Sequence, residues 1–226
     1  MQKQVFSITR KITGSFLRRF FLLLYHQFSW AYDFVAWTVS LGKWKTWVNS
    51  VVPFLIGSRI LEIGHGPGHL QSTLLSRGIW ACGLDESRWM SAIAAKRCNR
   101  LINSLAQELP FQAGTFSQVV ATFPAEFIFK QATLSEVFRV LEPGGSFVLM
   151  PVAWITGRRT RERIAAWLFR VTGEAPERTP EFIRRYFSDP LEQAHFQVST
   201  SILKVSNSDI LIITARKPDA SSDLPS

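Results

Sequence analysis

The chain has 226 residues, a length suited to one domain with a full core, and 46% of them are hydrophobic against 19% charged, which excludes a disordered polypeptide. Its formal net charge of +9 points to an anionic partner: nucleic acid, a membrane surface or an acidic substrate. The two cysteines, Cys82 and Cys98, fit no metal-ligand spacing and read as reduced packing residues of a cytoplasmic protein.

Residues 1–24 interleave Lys3, Arg10, Lys11, Arg18 and Arg19 with Phe16, Leu17, Phe20, Phe21 and three leucines, and no acid occurs before Asp33. The apolar run Phe20 to Tyr25 is too short to span a bilayer, which takes about 20 apolar residues. No small-residue cleavage site follows, so a signal peptide is disfavoured. Two readings stay open: an amphipathic helix lying in a membrane interface, or a helix packed over a substrate cleft. Between Tyr25 and Val48 the large rings Tyr25, Trp30, Trp37, Trp44 and Trp47 read either as core or as a lid. The division expected is an N-terminal segment over 1–50, a main domain over 51–218 and a disordered polar tail over 219–226.

The stretch Arg59 to Leu70 reads RILEIGHGPGHL. Ile60, Leu61 and Ile63 have the pattern of a strand buried on both faces of a parallel sheet. Gly64, Gly66 and Gly68 follow at alternate positions, and Leu70, Leu74 and Leu75 recur at helical spacing. The segment is thus strand, glycine turn, helix: a place where a ligand can approach bare backbone and meet the N–H groups of a helix start. A second buried strand, Ile79 to Leu84, ends on Asp85. An acid about 20 positions beyond a glycine loop is placed to accept from both hydroxyls of a ribose. The plainer alternative is that Asp85 caps the helix opening at Glu86-Ser87-Arg88.

Farther on, Arg88 to Arg97 is helical, with Trp89, Met90, Ile93 and Ala94 expected on the sheet. Leu101 to Leu105 reads as a third strand and Phe116 to Phe123 as a fourth. The helix ending at Leu141 is stopped by Glu142-Pro143-Gly144-Gly145, and Ser146 to Met150 forms a fifth strand. Residues 157–190 read as a helical insertion, rich in arginine (Arg158, Arg159, Arg161, Arg163, Arg170) and divided by Pro176 and Pro180. Phe196 to Leu203 and Ile210 to Ala215 form a closing hairpin.

The glycines fall as G-x-G-x-G, with Glu62 two residues before the first, whereas a dinucleotide fingerprint is G-x-G-x-x-G. With LEIGHGPGHL, GLD, Leu109-Pro110-Phe111 and LEPGGSFVLMP (Leu141 to Pro151) in this order and spacing, the chain resembles the class I S-adenosylmethionine-dependent methyltransferases over Tyr25 to Pro218, and within them the quinone-biosynthesis type. The resemblance implies an α/β, Rossmann-like, seven-stranded and mostly parallel sheet with an antiparallel terminal hairpin, helices on both faces and a helical N-terminal extension. It implies S-adenosyl-L-methionine as cofactor, held by Glu62, Gly64, His65, Gly66, Gly68, Asp85, Glu86, Leu105, Ala106 and Thr122. Tyr32 and Asp33 occupy the place of a Tyr-Asp pair over the cofactor. Tyr25, Tyr32, Phe123 and Pro124 are the substrate-facing candidates. Two positions depart from the family: Leu105 stands where an Asp commonly receives the adenine amino group, and Ser117 where an Asp often precedes strand four.

Methyl transfer from a sulfonium is an in-line displacement with an activated donor, so alignment and exclusion of water come first and a general base is optional. This suits a chain without a catalytic triad or a metal cluster. His65, Glu126 and His26 are the candidate bases; His69 lies at the start of the loop helix, and His195 reads as structural. Glu126 is alternatively a first-turn acid favouring its helix dipole. The basic, aromatic-rich N-terminus favours a small or lipid-like acceptor at the inner membrane face. RNA or protein methylation is the first alternative, though Thr122-Phe123-Pro124-Ala125 has no Asn-Pro-Pro-Tyr character, which argues against nucleic acid. A non-enzymatic membrane-associated or assembly protein is the second. A nicotinamide oxidoreductase is disfavoured by the glycine spacing and by the lack of a Tyr-x-x-x-Lys pair.

Overall fold

A computed structural model of the protein describes residues 43–156 and 178–219. Residues 1–42, with Tyr25, His26, Tyr32 and Asp33, the arginine-rich stretch 157–177 and the end of the tail lie outside the described residues. The chain divides into two compact units, the larger comprising Lys45–Ala153, Glu177–Val205 and Asp209–Ser226, the smaller Met1–Trp44, Trp154–Pro176 and Ser206–Ser208.

In chain order the described elements are α1 (Trp44–Asn49), a 3-10 turn (Val52–Phe54), β1 (Ile60–Ile63), α2 (His69–Ser76), β2 (Ala81–Asp85), α3 (Arg88–Ala94), β3 (Leu101–Asn103), β4 (Phe116–Thr122), a 3-10 turn (Glu126–Phe129), α4 (Gln131–Val140), β5 (Leu141–Ile155), α5 (Pro180–Ile183), a π-helical turn (Arg184–Ser188), α6 (Asp189–Gln193), β6 (Gln197–Val205) and β7 (Ser208–Arg216). They form a seven-stranded sheet of order β3-β2-β1-β4-β5-β7-β6, with β1 to β5 parallel and β6-β7 as the antiparallel terminal hairpin. Strand order reverses between β1 and β4, and in open α/β sheets ligands bind at the carboxyl ends of the strands beside such a reversal.

All four residues of β1 and all five of β2 are buried, as central parallel strands covered on both faces must be. Leu70 and Leu74 are the inward face of α2. Its end is a Schellman turn: Gly78 N–H donates to Leu75 O, Ile79 N–H to Leu74 O, and Gly78 holds φ 70°. At the start of α3, Ser87 Oγ accepts from Met90 N–H. In α4, Thr133, Leu134, Val137 and Val140 repeat at helical spacing and are buried against the sheet. Lys217, just past β7, donates from Nζ to Phe138 O and Leu141 O at 2.7 and 2.6 Å, placing a cation at the carboxyl end of α4.

Several sequence expectations shift. β3 is only three residues long, so Ser104 and Leu105 lie beyond it; pairing with β2 stops at Asp85↔Asn103, and Leu105 is 47% exposed. Ile79 and Trp80 precede β2, and Trp80 lies under the Arg100 guanidinium rather than in the core. Trp89 and Leu75 are exposed, leaving Met90 and Ala94 as the buried face of α3. β5 begins at Leu141 rather than Ser146, because Leu141 pairs with Phe116 and Gly144 N–H donates to Lys217 O, contacts no local pattern announces. Ser117, at the position of the family's Asp, lies within β4; its hydroxyl accepts from Arg59 N–H and donates to Arg59 O, locking the approach to β1.

Candidate functional site

The glycine loop joins β1 to α2 at the carboxyl edge of the sheet. Gly64, Gly66 and Gly68 all hold left-handed φ values, 74°, 52° and 80°. They do different work. A methyl group on Gly64 or Gly66 would project into open space, whereas on Gly68 it would come within 2.9 Å of Ala94 Cβ. The first two glycines leave a bare, accessible surface, and the third lets α2 pack on α3. Arg97 fastens the loop from outside, donating to Pro67 O at 2.6 Å.

The loop's own donors turn inward. Gly64 and His65 N–H donate to Leu84 O, Gly66 N–H to Asp85 Oδ2 and Gly68 N–H to His65 O. The loop therefore supplies a ligand with room more than with N–H groups, a correction to the reading from glycine content alone. Gly68 has no side chain to cap α2.

Asp85, at the end of β2, is buried, with Oδ2 accepting from Gly66 N–H at 2.9 Å and Oδ1 from Ser87 N–H at 2.8 Å. The helix cap is Ser87, not Asp85. Each carboxylate oxygen has two acceptor positions, so one on each oxygen remains for a pair of ligand hydroxyls. Asn103, opposite Asp85 in the β2-β3 register, donates from Nδ2 to both Asp85 O and Glu86 O, at 2.8 and 2.9 Å. It fixes the main chain that aims Asp85. Sequence reading passed over Asn103; the available signal was a polar residue interrupting an apolar strand.

Glu62 is 2% exposed and accepts from Gln71 Nε2 at 2.9 Å. Burial pushes its carboxyl up to about 8, the Gln71 bond opposes this and the Asp85 charge reinforces it, so Glu62 is protonated at neutral pH. Gln71 was also missed, although a polar residue on the inward face of α2 is a visible oddity. His65 is buried, its ring packed where a Gly83 side chain would stand. Burial lowers its pKa, against the opposing pull of Asp85. In the neutral ring, Nδ1–H donates to Gly66 O at 2.7 Å and Nε2 faces Ser91 Oγ at 3.5 Å. His65 thus braces the loop from beneath and faces α3 rather than β4.

Leu105 is half-exposed beyond β3 and Ala106 is buried beside it. The following Leu109-Pro110-Phe111 turn is held by α4: Glu136 accepts from Leu109 N–H, and Arg139 donates to Leu109 O, Phe111 O and Glu136. The Arg139 bond holds the Glu136 carboxyl below its usual range.

At the end of β4, Thr122 pairs with Met150, and Phe123 adopts φ 47°, a left-handed conformation that a bulky residue seldom takes. Pro124 follows, and Glu126 opens the 3-10 turn in an exposed position. The structure thus joins Gly66, Gly68, His65 and Asp85 into one bonded cluster, with Gly64 tied to Leu84 O and Glu62 to Gln71 beside it, and with Thr122, Phe123 and Pro124 at the end of β4, on the other side of β1. Glu126 is outside that cluster. His69 begins α2, and His195 packs edge-on to Phe138 far along the chain. Among the described residues no group of His, Cys, Asp and Glu could hold a metal ion, and no helix is long and apolar enough to cross a membrane.

A family model described as a methyltransferase domain matches residues 60–145. The chain is 24% identical over 205 residues to the ubiquinone/menaquinone biosynthesis C-methyltransferase UbiE of Rhizobium johnstonii, covering 76% of this chain and 80% of that protein. It is 26% identical to the enzyme of the same name from Bartonella quintana, with 76% and 79% covered. Among solved structures, a Thermotoga maritima SAM-dependent methyltransferase, described as a possible histamine N-methyltransferase, superposes with a TM-score of 0.59 at 19% identity, over 84% of this chain and 96% of that one. A Haemonchus contortus phosphoethanolamine N-methyltransferase, solved with S-adenosylhomocysteine, also gives 0.59, at 17% identity over 87% of this chain and 59% of that one. At such identities the structural matches speak to the fold.

Proposed function

Since the chain is a class I S-adenosylmethionine-dependent methyltransferase, we propose that it methylates a small, quinone-like or lipid-like acceptor, with the cofactor lying across the glycine loop and the acceptor at the end of β4. The observation that carries the cofactor placement is the open surface at Gly64 and Gly66 beside a carboxylate with acceptor capacity in reserve, Asp85. Bound there, the cofactor supplies a methyl group already activated on a sulfonium.

The chain's own residues have three tasks. Asp85 accepts from the ribose hydroxyls while Gly66 and Ser87 N–H keep its carboxylate aimed. Leu105 and the main chain at Ala106 receive the adenine; with no Asp at that position, apolar packing and backbone groups carry the recognition. Thr122, Phe123 and Pro124 form the wall against which the acceptor is aligned. Protonated Glu62 adds no charge beneath the sulfonium; bonded to Gln71, it supports the loop. If the acceptor must lose a proton, that falls to Glu126 or His26, since both ring nitrogens of the buried His65 face protein, Nδ1 toward Gly66 O and Nε2 toward Ser91.

The acceptor class is supported by the UbiE-named relatives, which are covered over most of their own length, and by the basic, aromatic N-terminal sequence. We further assign 1–24 to contact with the inner face of the cytoplasmic membrane, where an isoprenoid-like acceptor would reside. The deciding experiment has two stages. Calorimetric titration with S-adenosylhomocysteine, with NADH as control, should show micromolar binding of the former alone. Labelled methyl should then pass to a short-chain demethylated quinol and not to phosphoethanolamine or RNA; transfer only to either of the latter would overturn the acceptor assignment. Deleting 1–19 should abolish sedimentation with anionic liposomes while leaving S-adenosylhomocysteine binding intact, and retained sedimentation would remove the membrane role from this segment.

A further inference from the structure

Trp47, in α1, is 4% exposed, and its indole Nε1–H has no acceptor among the described residues. A tryptophan is ordinarily buried where its N–H reaches a partner, because an unpaired buried donor is costly. This one lies at the site. Its ring rests against Phe123, with centroids 6.1 Å apart and planes tilted by 46°. Phe123 N–H donates to Met150 O at 2.7 Å, and Ser50, near Trp47 in the chain, reaches the Met150 sulfur from its hydroxyl at 3.8 Å. The segment bearing Trp47 is therefore seated on Phe123 and Met150, at the carboxyl end of β4. Phe123 is itself the residue in left-handed conformation there, and such strain concentrates at ligand sites.

Strand order sets the direction of a bound cofactor. The ribose belongs at Asp85 on β2 and the adenine beyond β3, so the remainder of the molecule runs the other way, past β1 toward β4. Neighbouring strands stand about 4.8 Å apart, which puts the end of β4 about 10 Å from that of β2. The amino-acid end of the cofactor arrives where Trp47 has a donor to spare. We infer that Trp47 Nε1–H hydrogen-bonds the carboxylate of the cofactor's methionine moiety. An anionic acceptor makes the bond charge-assisted, and a site shielded from water strengthens it. This inference rests on the cofactor placement proposed above.

The test pairs two ligands with one conservative variant of the full chain. S-adenosylhomocysteine carries the carboxylate; 5′-methylthioadenosine keeps the nucleoside and lacks the amino-acid chain. W47F keeps a ring against Phe123, deletes the donor and trims the ring, and the trimming alone should affect the two ligands alike. Its affinity for S-adenosylhomocysteine should fall about tenfold, as for loss of a bond to a charged group, with that for methylthioadenosine unchanged. In nitrogen-labelled wild-type protein, the Trp47 indole resonance, assigned by its absence from W47F or from W47Y, should move with the first ligand and not with the second. Equal losses for both ligands, or an indole resonance indifferent to both, would overturn the inference while leaving the cofactor site standing. Wild-type protein that binds neither ligand would overturn both together.

Discussion

The two halves of the carboxyl edge are built differently. On the β3-β2-β1 side nearly every polar group is engaged: Asp85 by Gly66 and Ser87, the main chain after β2 by Asn103, Glu62 by Gln71 and Pro67 by Arg97. On the β4 side stand an exposed Glu126, a strained Phe123 and a Trp47 indole with no acceptor among the described residues. The first half presents an already ordered surface, which lowers the cost of binding a ligand of constant shape. The second keeps one buried donor, the Trp47 indole N–H, in reserve. On the proposed placement the contrast divides the nucleoside part of the cofactor from its amino-acid end and the acceptor, and it can be broken by acting on the ordered half.

The largest effect expected there is one of pH. Glu62 titrates near 8 in the folded protein and near 4.5 as an ordinary glutamate. Its folded pKa is raised, so its contribution to stability is fully present below about 4.5, declines as pH rises, and is gone above about 8. Each tenfold change in proton affinity corresponds to about 1.4 kcal/mol, so the loss across this window is a few kcal/mol. The thermal midpoint should fall over the same range in the wild type and stay flat in E62Q, whose amide can still accept from Gln71. A wild-type slope that survives in E62Q would place the titration elsewhere.

Next in size is D85A. It removes the acceptors for the ribose and unties Gly66, and S-adenosylhomocysteine affinity should drop about 100-fold by calorimetry. Unchanged affinity would remove Asp85 from the site. The glycines come third. G68A must push against α3 and should cost about 2 kcal/mol in chemical denaturation, combining the backbone strain of a left-handed alanine with the Ala94 contact. G64A carries only the strain, about 1–2 kcal/mol, yet its methyl group enters the open surface and should weaken cofactor binding more than G68A does. Equal binding by the two variants would mean that the open face at Gly64 is not where the ligand lies.

What the sequence disclosed follows this same division. The glycine spacing and Asp85 could be read because backbone that must turn sharply, and an acid a fixed distance beyond it, leave local marks. The places of the strands along the chain likewise followed from apolar runs alternating with helical periodicity, while the parallel sheet itself was what the family resemblance implied. The early start of β5 depends on Lys217, 76 residues away from Leu141, and no window of sequence contains both. Trp47 read as core or lid; whether its N–H is paired depends on what surrounds the folded ring. The length of β3 was overestimated because Leu101 to Leu105 stays apolar apart from Asn103 and Ser104, and apolar character does not say where a neighbouring strand ends.

Asn103 is where that ambiguity has a functional consequence, and it yields the smallest predicted effect. Its side chain crosses from the end of β3 to the carbonyls of Asp85 and Glu86, and touches no atom assigned to the ligand. N103A therefore leaves every proposed ligand contact in place and removes only the brace. Two carbonyls lose a shared donor near the surface, where water replaces part of what is lost, so stability should fall by about 1 kcal/mol. The loosened main chain would let the Asp85 carboxylate rotate, and S-adenosylhomocysteine affinity should weaken about fivefold. N103D tests the reason. It keeps the size of the side chain but turns a donor into an acceptor facing two carbonyls, and should lose more than N103A in both measurements. If N103A lowers stability with affinity unchanged, Asp85 is held by Gly66 and Ser87 alone, and the order of this half of the site comes from the loop rather than from the neighbouring strand.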